Sequence, residues 1–220
     1  MDNLWEDEIK NSILQNKVIF DQLGDLGQTL IIYEKKIYKR VIADALIFSQ
    51  NQGIIGVEIK TQHDTLKRLP RQLDSYVRTC QYTYVYCHDS KVNKVQDLLD
   101  KKGYDCVGII SYEEFDGQAL PGLVKSPTKS PYLIPWGYTS VLWNSELQKI
   151  IELATHEKPY SRKRDMINSM ASIFPKDGAE RVIANLYIDG NTDIEKQLQR
   201  YDFGMQYDHD VTFKGGWHHA

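Results

Sequence analysis

Glu58 and Lys60 stand two positions apart in GVEIK, residues 56–60. A strand alternates its side chains between two faces, so residues i and i+2 share one. Ile55, Val57 and Ile59 would then take the buried face, leaving Glu58 and Lys60 together on the other. A second acid lies in the run RVIADALIF, residues 40–48. There Asp44 sits mid-strand among apolar neighbours, despite the poor strand propensity of aspartate and the cost of desolvating it. The runs are joined through SQNQG, residues 49–53, a turn short enough for Asp44 and Glu58 to lie side by side. Two carboxylates converging at a sheet end, with a backbone carbonyl nearby, make an oxygen-rich nest for a hard divalent cation such as Mg²⁺ or Mn²⁺. A lysine beside them can orient or activate a water, or stabilise charge developing on a phosphoryl group. Taken alone, Glu58 and Lys60 read equally well as an ion pair on a half-solvated strand.

These residues need elements to hold them. Asp2 to Gln15 reads as a helix, with Trp5, Ile9 and Ile13 recurring every four positions, before Gly24 and Gly27 break the chain. Thr29 to Tyr33 reads as a strand, Glu34-Lys35-Lys36 as a hairpin turn, and Ile37 to Phe48 and Ile54 to Lys60 as two more strands. A helix follows over Leu69 to Cys80, with Pro70 tolerated in its first turn. Then come a strand over Gln81 to Cys87, an amphipathic helix over Lys91 to Lys102 closed by Gly103, and a strand over Asp105 to Tyr112. Short turns imply antiparallel pairing among the first three strands, and helical crossovers imply parallel pairing later. The expected fold is therefore α/β, a mixed sheet flanked by helices. Glu113 to Thr139 holds four of the seven prolines and reads as a loop or linker. Beyond it, residues 140–204 read as a helical extension packed on the core, with helices over Ser140 to Ala154, Arg162 to Phe174 and Gly178 to Ile188. The last pair faintly resembles a helix–turn–helix. Residues 205–220 read as a tail.

Asp44, then thirteen intervening residues, then Glu58-Ile59-Lys60 resembles the PD-(D/E)XK nuclease superfamily. Ala43 stands where the motif's proline would be. The order helix, three strands, helix, strand is similar to the superfamily's restriction-endonuclease-like core, αβββαβ. Gln72 and Tyr76, four apart on the next helix, are similar to the Q-x-x-x-Y pair of RecB-like members, which lies beside the active site and contacts substrate or orients the centre. The run EIKTQHDTLKRLPRQLDSY looks like a small branch of bacteria and phages. The resemblance covers residues 1–112. It implies that Asp44 and Glu58 hold one or two Mg²⁺ or Mn²⁺ ions, that the Ile59 carbonyl is a third ligand, and that Lys60 serves catalysis. It also implies an acid from the first helix; Glu6 lies nearer the apolar face there than Glu8 does. The implied activity is metal-dependent hydrolysis of nucleic acid, with DNA the expected substrate. Lys67, Arg68 and Arg71, beside Gln72, would then steer the phosphate backbone.

Composition narrows the alternatives. Lys and Arg number 27 against 30 Asp and Glu, a net charge of −3, so attraction to nucleic acid must come from local patches. Such patches occur at Lys35-Lys36, Lys39-Arg40, Lys67 to Arg78, and Lys158 to Arg164. Three widely spaced cysteines, Cys80, Cys87 and Cys106, read as reduced core thiols, and no fourth exists to complete an iron–sulfur site. No apolar run approaches the roughly 20 residues a membrane span needs. MDNLWEDEIK has no signal-peptide pattern, so the expected location is the cytosol of a bacterium or of a phage-infected host. A protein of this fold that binds nucleic acid or a protein partner without cutting is the competing reading.

Overall fold

Five segments with several Ile, Val or Tyr residues each, and a sixth with a single Val, build the sheet. In the computed structural model, residues 6–155, 161–173 and 178–189 are described. Helix α1 (Glu6–Gln15) leads through a short 3₁₀ segment into β1 (Thr29–Lys36), β2 (Ile42–Ser49) and β3 (Gly53–Lys60). Helix α2 (Leu69–Thr79) crosses to β4 (Tyr82–His88), and α3 (Val92–Lys102) crosses to β5 (Val107–Phe115). Strand β6 (Gln118–Lys125) follows, then α4 (Pro135–Tyr138), α5 (Asn144–Thr155), α6 (Lys163–Ile173) and α7 (Ala179–Ile188). The strands lie in sequence order. β1, β2 and β3 pair antiparallel, β3, β4 and β5 parallel, and β6 antiparallel to β5. The protein is thus α/β with a mixed sheet flanked by helices.

Each face has its own cover. On one, Ala45, Ile47, Ile55, Val57, Ile59, Tyr84, Tyr86 and Tyr112 pack against Ile9, Ile13 and Phe20 of the N-terminal segment. Tyrosine is tolerated there because its hydroxyls find partners at the rim. The Tyr86 hydroxyl bonds Ser12 Oγ at 2.9 Å, and the Tyr84 hydroxyl accepts from Gln22. On the other face, α2 and α3 cover Val85, Cys87, Val107 and Ile109, while α5, α6 and α7 cover Leu46, Phe48 and Ile54. Tyr187 of α7 stacks on Phe48 with ring centroids 4.3 Å apart. All three cysteines are free and buried.

Three expectations change. The β1–β2 turn lies at Tyr38–Arg40, not at Glu34 to Lys36. Lys39 and Arg40 take left-handed backbone (φ 53° and 62°), and Ile37 N–H donates to Val41 O at 2.8 Å. Glu34 is instead a kink within β1, at φ 54°. Residues 113–139 are not a linker throughout, since β5 runs on to Phe115 and β6 fills Gln118–Lys125. Asp116 and Gly117, at φ 50° and 71°, supply the two left-handed residues of a tight hairpin. Pro121 is tolerated because β6 is an edge strand. In residues 140–189, α5, α6 and α7 share one apolar cluster with β2 and β3. Helix α7 is buried over eight of its residues, which excludes it as a groove-reading helix. The tail 205–220 and Lys158 lie outside the described residues.

Candidate functional site

The β2–β3 ladder ends at Ala45 opposite Val57, although β2 begins at Ile42 and β3 runs to Lys60. Continuing the register by one step sets Asp44 opposite Glu58. The strands separate there, and side chains replace the missing ladder bonds. Asp44 Oδ2 accepts from the Ile59 backbone N–H at 2.7 Å. The Tyr76 hydroxyl accepts from the Asp44 N–H at 2.9 Å and donates to Val57 O at 3.2 Å. Buried backbone polar groups must be paired, so this three-way link lets two strands diverge without orphaning their amides.

Tyr76 reaches that point because Gly56 has no side chain. A Cβ at Gly56 would lie 2.5 Å from Tyr76 Cδ1 and 2.7 Å from Cys80 Sγ, inside contact distance. The Tyr76 ring therefore lies over the glycine, and the hydroxyl continues to the sheet end. The expectation that Tyr76 touches nucleic acid is corrected. It is fully buried, and its hydroxyl links the Asp44 and Val57 backbones. Burial, with the Glu58 and Asp44 charges nearby, holds its phenol well above its ordinary pKa.

Glu58 is fully buried and Lys60 nearly so. Lys60 Nζ donates to Glu58 Oε1 and, at 3.0 Å, to Ile59 O. Two of the three ammonium protons are thereby committed, and the third remains for an incoming acceptor. Burial raises the Glu58 pKa, opposed by Lys60, then Tyr76, then Arg68. Glu58 Oε2 is buried and has no hydrogen-bond partner, and so is Gln72 Oε1. An unsatisfied buried oxygen is costly and calls for an explanation. Ser75 Oγ, Thr79 Oγ1 and Thr83 Oγ1 share that condition, and Glu58 Oε2 is the one carboxylate oxygen among the five.

Most of the expected site residues are brought together: Asp44, Glu58, the Ile59 carbonyl and Lys60 at the sheet end, with Gln72 and Tyr76 on α2. Lys67, Arg68 and Arg71 are exposed around the α2 N-terminus. The Glu6 side chain lies outside the described residues. Among the described residues, no three His, Cys, Asp or Glu side chains gather into a metal-holding group. The described oxygen donors are therefore two carboxylates and one carbonyl. Their chemistry suits Mg²⁺ or Mn²⁺, and the orphaned Glu58 oxygen is consistent with such an ion. Beyond the site, Thr61 N–H and Oγ1 both donate to Asp64 Oδ2 at 2.8 Å, closing the TQHD turn into α2.

Sequence reasoning missed Gly56 as a site residue. A glycine inside an otherwise apolar strand is the one local sign of a close approach.

The sequence model of the family described as Bacteriophage P4 protein cII matches residues 1–200. The chain belongs to the phage P4 cII protein family. Among solved structures, this cII-family chain is similar to a protein of unknown function from Silicibacter pomeroyi, with 9% identity and a TM-score of 0.45. That match covers 94% of this chain and 99% of the other. No curated protein matches the sequence. Among the described residues, no helix is long and apolar enough to cross a membrane.

Proposed function

We propose that this cII-family protein is a divalent-metal-dependent nuclease with a restriction-endonuclease-like core, hydrolysing phosphodiester bonds of nucleic acid, with DNA as the substrate. The observation that carries the reading is the notch at the end of β2 and β3. It holds two carboxylates, one with an orphaned buried oxygen, beside a lysine with an uncommitted proton. A purely structural ion pair would have no use for the free Glu58 oxygen, since leaving it unbonded costs about 1–3 kcal/mol.

Asp44, Glu58 and the Ile59 carbonyl would hold the ion. When bound, it supplies Lewis acidity and makes a water nucleophilic at neutral pH. The chain's residues do the rest. Asp44 is fixed by the Ile59 N–H, so its second oxygen points from a set position. Lys60 offers its remaining proton to a phosphoryl oxygen, where charge grows as the water oxygen attacks phosphorus and the ester P–O bond breaks. Lys67, Arg68 and Arg71 hold the flanking phosphates and position the strand without reading its sequence.

The test is thermal melting with and without Mn²⁺, followed by cleavage of plasmid, single-stranded and branched DNA. Mn²⁺ should raise the melting temperature of wild type and leave Asp44→Ala unmoved. Wild type should cut at least one substrate. The proposal fails if wild type and Lys60→Ala are equally inert on all of them with Mn²⁺ present. The competing reading, a nuclease-fold protein that binds without cutting, would then take its place.

A further inference from the structure

A second concave feature lies beside the β1–β2 turn, on the sheet face that α2 covers. It is a trough of about 1000 Å³, at the upper end of the range for ligand-sized clefts. Its lining carries five cations, Lys35, Lys36, Lys39, Arg40 and Lys163, against one acid, Glu34. The acid is already paired, with Lys10 Nζ at 2.9 Å from Glu34 Oε1. Lys39 bridges to Asp74 Oδ2 at 2.6 Å, which ties the trough to α2 two residues past Gln72. The remaining charge is crowded. Lys163 is pushed toward neutrality by burial and by Lys36 beside it, and Lys35 by burial, with the Glu146 charge opposing.

Aromatic surface is interleaved with that charge. Trp143 is 69% exposed and Trp136 is 37% exposed, both on the trough wall. Lys35 Nζ sits 5.3 Å from the Trp143 ring centre, bracing the indole from one side. An exposed tryptophan held by a lysine, in a trough lined with unbalanced positive charge, is the combination that binds unpaired bases. Phosphates sit on the cations, and bases stack on the rings in a sequence-tolerant way. Duplex nucleic acid, whose bases are already stacked, has no use for the tryptophans.

We infer that this trough is a track for single-stranded nucleic acid, leading an unpaired segment past α2 to the Asp44–Glu58–Lys60 site. The inference rests on the nucleic-acid reading of that site but not on its catalysis.

Binding is measured by fluorescence anisotropy with the full chain in EDTA, so that nothing is cut. The probes are labelled oligo-dT of about 15 nucleotides, the matching oligo-rU, and a duplex of equal length. One single strand should bind more tightly than the duplex, and the tighter of dT and rU names the sugar. Trp143→Ala should weaken that binding by roughly 5- to 150-fold, the loss of one stacked base. Lys36→Ala with Arg40→Asn should lower the slope of log K against log salt by about 1.4. Asparagine is chosen at Arg40 because it tolerates the left-handed backbone. Duplex bound as tightly as single strand, or unchanged affinity in both variants, overturns the track. Single-strand binding in EDTA without cleavage in Mn²⁺ keeps the track and sinks the nuclease reading. Cleavage of duplex with no single-strand preference does the reverse.

Discussion

Replacing Tyr76 with phenylalanine removes one oxygen and leaves the ring that covers Gly56 in place. The Asp44 N–H and the Val57 carbonyl lose their shared partner, and the strands then diverge with nothing between them. Val57 is fully buried, so its carbonyl bears a cost of about 1–3 kcal/mol for losing a partner; Asp44 is only half-buried and can recruit water. For a chain of this size each kcal/mol lowers the melting temperature by about 2–4 °C, so the expected drop is roughly 2–12 °C. The slope of urea unfolding should not change, because the buried apolar surface is the same. The Asp44 backbone N–H loses its anchor, while its carboxylate keeps the Ile59 N–H, and partners behind a metal ligand are typically worth about 10–100-fold in affinity. Mn²⁺ titration by calorimetry should therefore show that loss. A Tyr76→Phe protein that melts within about 1 °C of wild type and binds Mn²⁺ equally well would refute the role given to the hydroxyl.

Gly56→Ala attacks the same link from beneath, forcing a methyl into Tyr76 and Cys80. It should destabilise by about 1–3 kcal/mol and lower activity more than Cys80→Ala does, as read by melting and cleavage. Glu58 gives a pH signature. Its folded pKa is raised above the ordinary 4.5, so its contribution to stability is complete below that value and is lost as pH rises through the raised folded pKa. The metal-free melting temperature of Glu58→Gln relative to wild type should therefore climb as pH rises from 4.5, and Mn²⁺ should erase the trend. Lys60 occupies both Glu58 Oε1 and the Ile59 carbonyl, in competition with any cation. Each charged hydrogen bond released is worth about 1.5–3 kcal/mol, so Lys60→Ala should bind Mn²⁺ at least roughly tenfold more tightly while losing cleavage, as calorimetry and a plasmid assay would show.

The pairing of Asp44 with Glu58 and Lys60 was legible because strand periodicity and turn length act over a dozen residues. The helix after Lys60 was legible for the same reason, from its apolar stripe. The role of Tyr76 was not, because i and i+4 spacing tells which residues share a helix face but not how close that face lies to a sheet. Only the packing of α2 on Gly56 turns an apparent surface tyrosine into a buried strut. β6 was obscured by counting prolines in a segment where Asp116-Gly117 already marked a hairpin, and where an edge position makes Pro121 harmless. The trough escaped notice because Lys35 and Trp143 are far apart in sequence and meet only in the fold.

The stacking of Tyr187 on Phe48 has a consequence for how the protein is made. The β2–β3 hairpin that carries the proposed chemistry leaves the ribosome early. Its apolar cover, α7, is synthesised about 140 residues later, a delay of roughly 7–28 s at usual translation rates. Throughout that interval Leu46, Phe48 and Ile54 lack their final partner. A nascent chain stalled before α7 should therefore hold this hairpin open to chaperones, and the proposed site should be fully supported only with the last described helix.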